Sequence, residues 1–256
     1  MAAVRMSVNY AEFLKEIYFM KQTNGELKGM ARQMLLGRYQ VPMLAMLLSS
    51  LIPSFFLLPF NYLCSERSTY TSQAVLYYLA YFIITMIELL LSCGVKRVHL
   101  LIARGQSARI SDMFWVLKNR PDRILIGGFL FTLISWIPMI PSFLFDLMPP
   151  KGLSDITVIA VTELLALAGL LIGFLITLPL YFIFWIYVDD PDVDTGDAFR
   201  RSMALTRGAK WRLCVMELSF IGWLLLGALS FGIGYLWILP YMDQTFTNFY
   251  LSLRQE

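Results

Sequence analysis

Glu88, Glu163, Glu217 and Asp243 stand inside long apolar runs of this chain. A charge held at the middle of a bilayer costs about 2.5–3.5 kcal/mol on insertion scales, so such residues usually face a bundle interior or a wet cavity. The chemistry open to them there is proton or cation relay. Glu217 follows Arg212 by only five residues, close enough to an interface to reach water. Glu88, Glu163 and Asp243 lie deeper and make the candidate intramembrane polar site. No lysine or arginine stands deep in a run to pair with them. The plainer reading is that they are protonated or hydrogen-bonded between helices.

Other chemistry has little to stand on. His99 is the one histidine and has no carboxylate or nucleophile beside it. Neither an HExxH metal site, a Gly-rich phosphate loop nor a triad pattern occurs. Cys64, Cys93 and Cys214 form no CxxC pair. In "DDPDVDTGD", Asp190, Asp192 and Asp194 mimic the first positions of a calcium loop. Gly196 falls one place late for that loop, and Arg201 stands where its bidentate glutamate belongs. The better role for these acids is capping the helix that follows. The expectation is therefore no catalytic, cofactor or metal site, and no enzyme.

These residues need elements to carry them. The chain has 256 residues, 58% hydrophobic and 15% charged, against about a quarter charged in soluble domains. A spanning helix needs about 20 apolar residues. Runs at 41–63, 73–95, 124–147 and 156–188 meet this, and 213–253 is long enough to cross twice, as 213–230 and 235–253, reversing at Gly232 and Gly234. Nineteen of the 21 lysines and arginines fall in 1–40, 96–123, 200–212 and at Arg254, leaving Arg67 and Lys151 for the other side. Basic residues resist translocation, so both termini are expected to be cytoplasmic. The net charge of +3 gives no reason to expect nucleic acid.

Three stretches before spans resemble one another: "LKGMARQMLLGRYQVPM" at 27–43, "ISDMFWVLKNRPDRILI" at 110–126 and "AFRRSMALTRGAKWRL" at 198–213. Each is a short amphipathic segment, then Gly37, Asn119 or Gly208 to end the helix, then basic residues, then a span. The expected apolar faces are Leu27, Met30, Met34 and Leu35; Ile110, Met113, Phe114 and Leu117; and Ala198, Phe199, Ser202 and Met203. The fold expected is an all-α membrane protein: six transmembrane helices as three hairpins, each preceded by an in-plane amphipathic cytoplasmic helix. Residues 1–40 form the cytoplasmic N-terminal segment, and 41–254 one six-span domain. Lipid headgroup contacts are expected from Lys28, Arg32, Arg38, Lys118, Arg120, Arg123, Arg200, Arg201, Arg207, Lys210 and Arg212.

The last 60 residues also carry a resemblance. Ser202, Met203 and Gly208, then "LSFIGW", "FGIG", "LPY" and the closing "NFY" resemble the uncharacterised bacterial integral membrane proteins of domain-of-unknown-function family 975. "LKNRPDRIL" and "WIPMIP" upstream are similar more loosely. The resemblance implies a six-helix protein of the bacterial inner membrane and brings no activity. The function expected is organising membrane, associating with lipid or assisting a partner, without catalysis. The alternative is a small transporter using the three carboxylates. Expected partners are membrane lipids with anionic headgroups, with a second copy or a membrane protein beside them.

Overall fold

The computed structural model describes residues 22–64, 71–148 and 154–254, with Pro150 and Gly152. Arg67, Lys151 and three of the N-terminal cations fall outside the described residues. Those described are helical, with no strand among them. The helices are α1 (Asn24–Leu35), α2 (Gln40–Cys64), α3 (Thr71–Ala103), α4 (Pro121–Trp136), α5 (Ile140–Leu147), α6 (Asp155–Thr177), α7 (Ile183–Asp189), α8 (Thr195–Leu205), α9 (Lys210–Leu218), α10 (Ile221–Leu229) and α11 (Tyr235–Arg254). Five segments are long and apolar enough to cross a membrane: Gln40–Phe60, Leu79–Ala103, Pro121–Leu147, Asp155–Asp189 and Lys210–Leu229.

Prolines set the breaks. A 3₁₀ turn at Ile137–Met139 joins α4 to α5, and another at Leu178–Leu180 precedes α7. The Leu178–Leu180 turn interrupts the helical ladder before α7 begins at Ile183, which leaves the Pro179 carbonyl outside both helices. The Ser202 and Thr206 hydroxyls of the α8 segment donate to it at 3.0 and 3.1 Å. Ser/Thr side chains routinely satisfy such freed groups in spanning helices. We expect Ser202→Ala combined with Thr206→Val to cost about 1–3 kcal/mol by orphaning this carbonyl. Each single change should cost far less, because the other hydroxyl remains. Thermal unfolding of the three variants in detergent checks this non-additivity.

The three short segments are helical, with local corrections. In α1, Thr23 and Glu26 close a capping box, and the Thr23 amide and hydroxyl hold the Glu26 carboxyl below the usual carboxylate range. Leu27, Ala31 and Leu35 are fully buried against the bundle, with Met30 and Met34 partly covered. Gly37 and Gly208 take φ of +73° and +88°, as helix-ending residues should. Asn119 does not. Its side chain donates to the Trp115 carbonyl at 2.7 Å, and Arg120 takes the left-handed conformation, φ 54°. Ile110–Leu117 is a 3₁₀ helix rather than an α-helix. Its tighter period of three buries Met113 and Val116 and leaves Leu117 exposed. In α8, Ala198 and Ser202 are buried while Met203 is exposed, and Asp194 caps the start by accepting from the Gly196 amide at 3.1 Å.

The chain reverses between α10 and α11 through Phe231 (φ 53°) and Gly232 (φ 86°). The returning helix α11, expected as a sixth crossing, is set apart from the five apolar segments. Gln244 through Leu253 are all buried, and five of these are polar: Gln244, Thr245, Thr247, Asn248 and Ser252. It packs against α1, α2, α3 and α10 as a central post. An aromatic cluster surrounds it, with Phe182 stacked on Phe249 at 5.9 Å and Phe246 against Tyr181 and Phe220.

Candidate functional site

The polar residues of α11 form three groups. The first is a hydrogen-bonded spine through the core. His99 Nδ1 on α3 donates to Gln244 Oε1 at 2.9 Å; Gln244 donates in turn to Asn248 Oδ1 at 3.2 Å, and Asn248 to the Leu27 carbonyl of α1 at 3.4 Å. The Gln244 amide also reaches the His99 carbonyl at 3.4 Å, which fixes its orientation. The spine ties α3, α11 and α1 together at full burial. His99 Nε2 has no hydrogen-bond partner there among the described residues.

The second group lies beside it. Lys96 Nζ stands 3.7 Å from Asp243 and 4.0 Å from the centre of the Trp185 ring. Trp185 Nε1 donates to Thr247 Oγ1 at 3.0 Å, and Thr247 donates to the Asp243 carbonyl. The Tyr181 hydroxyl faces the Glu217 carboxyl, and Asp243 is near enough for its charge to act on both. A lysine, two carboxylates and a tyrosine thus converge. Lys96 counts by position as a rim cation, yet it is the partner of Asp243.

The third group closes the end of the bundle. Asp189, at the end of α7, is buried (side chain 4% exposed) and accepts from Arg104, Arg254 and the Tyr250 hydroxyl, the last at 3.0 Å. It clamps the ends of α3, α7 and α11 at one point. Next to it Asp190 pairs with Arg201 at 2.7 Å.

Of the three expected intramembrane acids, only Asp243 belongs to such a group. Glu88 on α3 and Glu163 on α6 are exposed, and neither has a hydrogen-bond or ion-pair partner among the described residues. Glu217, set aside in the sequence for its closeness to Arg212, is the carboxylate that faces Tyr181 and feels the charge of Asp243. We expect Glu88→Gln and Glu163→Gln to leave the melting temperature in detergent unchanged within error, while Asp243→Asn lowers it by stranding Lys96.

The expected headgroup cations divide in two. Lys28 donates to Ser219 Oγ and sits 4.2 Å over Phe220; Arg212 lies 4.7 Å over Phe249 and donates to Asn24 Oδ1; Arg123 donates to the Asp192 carbonyl. These three hold the fold, and desolvation lowers the Lys28 ammonium from its ordinary pKa. Arg32, Arg38, Lys118, Arg120, Arg200, Arg201, Arg207 and Lys210 are exposed. The helix ends that carry them meet through Asn24–Arg212, Arg104–Asp189–Arg254, Arg201–Asp190 and Arg120–Asp192, so the bundle has one basic end.

Motif residues of the last third fall on these same joints: Ser202 at the Pro179 carbonyl, Asn248 in the spine, Tyr250 on Asp189. No curated protein and no solved structure matches the chain. Residues 20–256 match the family described as protein of unknown function (DUF975), and the chain belongs to that family.

Proposed function

We propose that the protein is a multi-pass protein of the bacterial cytoplasmic membrane, crossing six times as three hairpins with both termini inside. It holds anionic lipid at its inner face, organising lipid or steadying a membrane partner there, and catalyses no reaction. The observation that carries this reading is the single basic end, on which eight of the expected headgroup cations are exposed. Each cation near an anionic leaflet contributes about 1 kcal/mol of attraction. The apolar faces of α1, the 3₁₀ helix and α8 are turned partly onto the bundle. In this reading the short helices act less as lipid anchors than as brackets that hold the cations at headgroup level.

The test is lipid retention. Full-length protein exchanged into bilayers of mixed phosphatidylglycerol and phosphatidylcholine should carry away an excess of phosphatidylglycerol. Combined Arg38→Gln, Lys118→Gln, Arg200→Gln and Lys210→Gln should bring the ratio toward that of the bulk bilayer. Equal retention of both lipids by the native chain would end the proposal.

One observation favours a second reading, transport: Lys96 pairs with Asp243, and the charges of Asp243, Glu217 and Tyr181 act on one another. Acids paired near mid-bundle are how proton relays are built. In proteoliposomes this reading requires flux that falls with Asp243→Asn or Glu217→Gln and is indifferent to Glu88→Gln.

A further inference from the structure

Between α7, α8 and α11 the basic end opens into a cleft of about 420 Å³, within the roughly 300–1,000 Å³ of small-molecule sites. Its polar walls are Arg201, Arg207, Arg254, Asp189, Asp190 and Tyr250. Its apolar side is Ile186, Leu205 and Leu253. Charge within and just behind the cleft is unbalanced. Four arginines, counting Arg104, face two carboxylates. Asp189 is shared by Arg104 and Arg254, and Asp190 is taken by Arg201. Among the described residues the Arg207 guanidinium has no partner. Gly208, with φ +88°, turns the chain straight after Arg207.

We propose that this cleft is a discrete site for one phosphate group, with the headgroup of an anionic lipid as its source. The proposal rests on the lipid-holding reading above and makes it specific. A phosphate oxygen pair matches the planar guanidinium fork, which a carboxylate-free arginine is left to offer. A phosphodiester headgroup of net charge −1 partly offsets the surplus positive charge. A zwitterionic headgroup brings an ammonium that offsets none of it. The apolar side of the cleft suits the glycerol and first acyl carbons. Beside α8, Met203 and the 76%-exposed Trp211 offer further apolar contact to a chain running into the bilayer.

The experiment counts bound lipid on the purified full-length chain by native mass spectrometry, titrating phosphatidylglycerol, phosphatidylcholine and inorganic phosphate separately. Native protein should show one saturable phosphatidylglycerol site above a weaker background. Arg207→Gln should weaken that site about fivefold, the equivalent of one headgroup cation. Arg109→Gln, an exposed cation outside the cleft, should leave it alone. A site that fills equally with phosphatidylcholine, or that ignores Arg207→Gln, overturns the proposal. Inorganic phosphate binding there as tightly as the lipid overturns the lipid source. If the four-cation rim variant loses its phosphatidylglycerol excess while Arg207→Gln changes nothing, the cleft falls and the wider reading stands.

Discussion

Gly94→Ala is expected to destabilise the protein by about 3 kcal/mol, the upper part of the overpacking range. A Cβ on residue 94 would lie 2.7 Å from the Met113 carbonyl carbon and 3.0 Å from its Cα, closer still to its oxygen. These are backbone atoms of the 3₁₀ helix Ile110–Leu117, so no side-chain rotation relieves the clash. Met113 and Val116 are buried in the same contact, and both would have to move away from α3. The control is Gly222→Ala in α10, where an added Cβ meets nothing within 4 Å. That change should be neutral or slightly stabilising, since alanine favours helix over glycine by roughly 1 kcal/mol. Thermal unfolding in detergent measures both. A Gly94→Ala protein that melts with the native one would mean the 3₁₀ helix does not pack where described.

Asp189→Asn should be nearly as damaging. Removing one side of a buried ion pair costs about 3–5 kcal/mol, because the partner charge is left in a poor solvent. Arg254 is half exposed, so its share is screened and the lower end of that range applies. Arg104, with a 32%-exposed side chain, loses more. Arg254→Gln should cost much less, since Arg104 and Tyr250 still hold the carboxylate. The readouts are the melting temperature and the rate of backbone amide hydrogen exchange in the last turns of α11. Equal effects from Asp189→Asn and Arg254→Gln would show that Asp189 is not the shared centre of the clamp.

The five long apolar segments were legible in the sequence because bilayer thickness imposes a long apolar run, and runs need no partner to be recognised. Gly37 and Gly208 were legible for a local reason, the freedom to take positive φ. What was lost depended on pairing at a distance. His99 and Gln244 are 145 positions apart, and nothing in either neighbourhood names the other. Lys96 read as a rim cation by its place in the chain; only the approach of α11 to α3 shows that it belongs to Asp243. The 3₁₀ segment differs from an α-helix in whether Val116 or Leu117 turns inward, and both are apolar, so pattern alone does not separate them. α11 read as an ordinary span because its polar residues are spaced among aromatics. Their burial is set by the helices around it.

In the proposed orientation the basic end of the bundle faces the inner, anionic leaflet. With Cys64, Cys93 and Cys214 replaced by alanine, single cysteines at Ser107, Lys118 and Lys210 on that end and at Pro150 on the other can be labelled with an impermeant thiol reagent. In that orientation Ser107→Cys, Lys118→Cys and Lys210→Cys react in inside-out vesicles alone and Pro150→Cys in right-side-out vesicles alone. Reaction of any of the first three from outside, or of Pro150→Cys from the same side as they do, would contradict it.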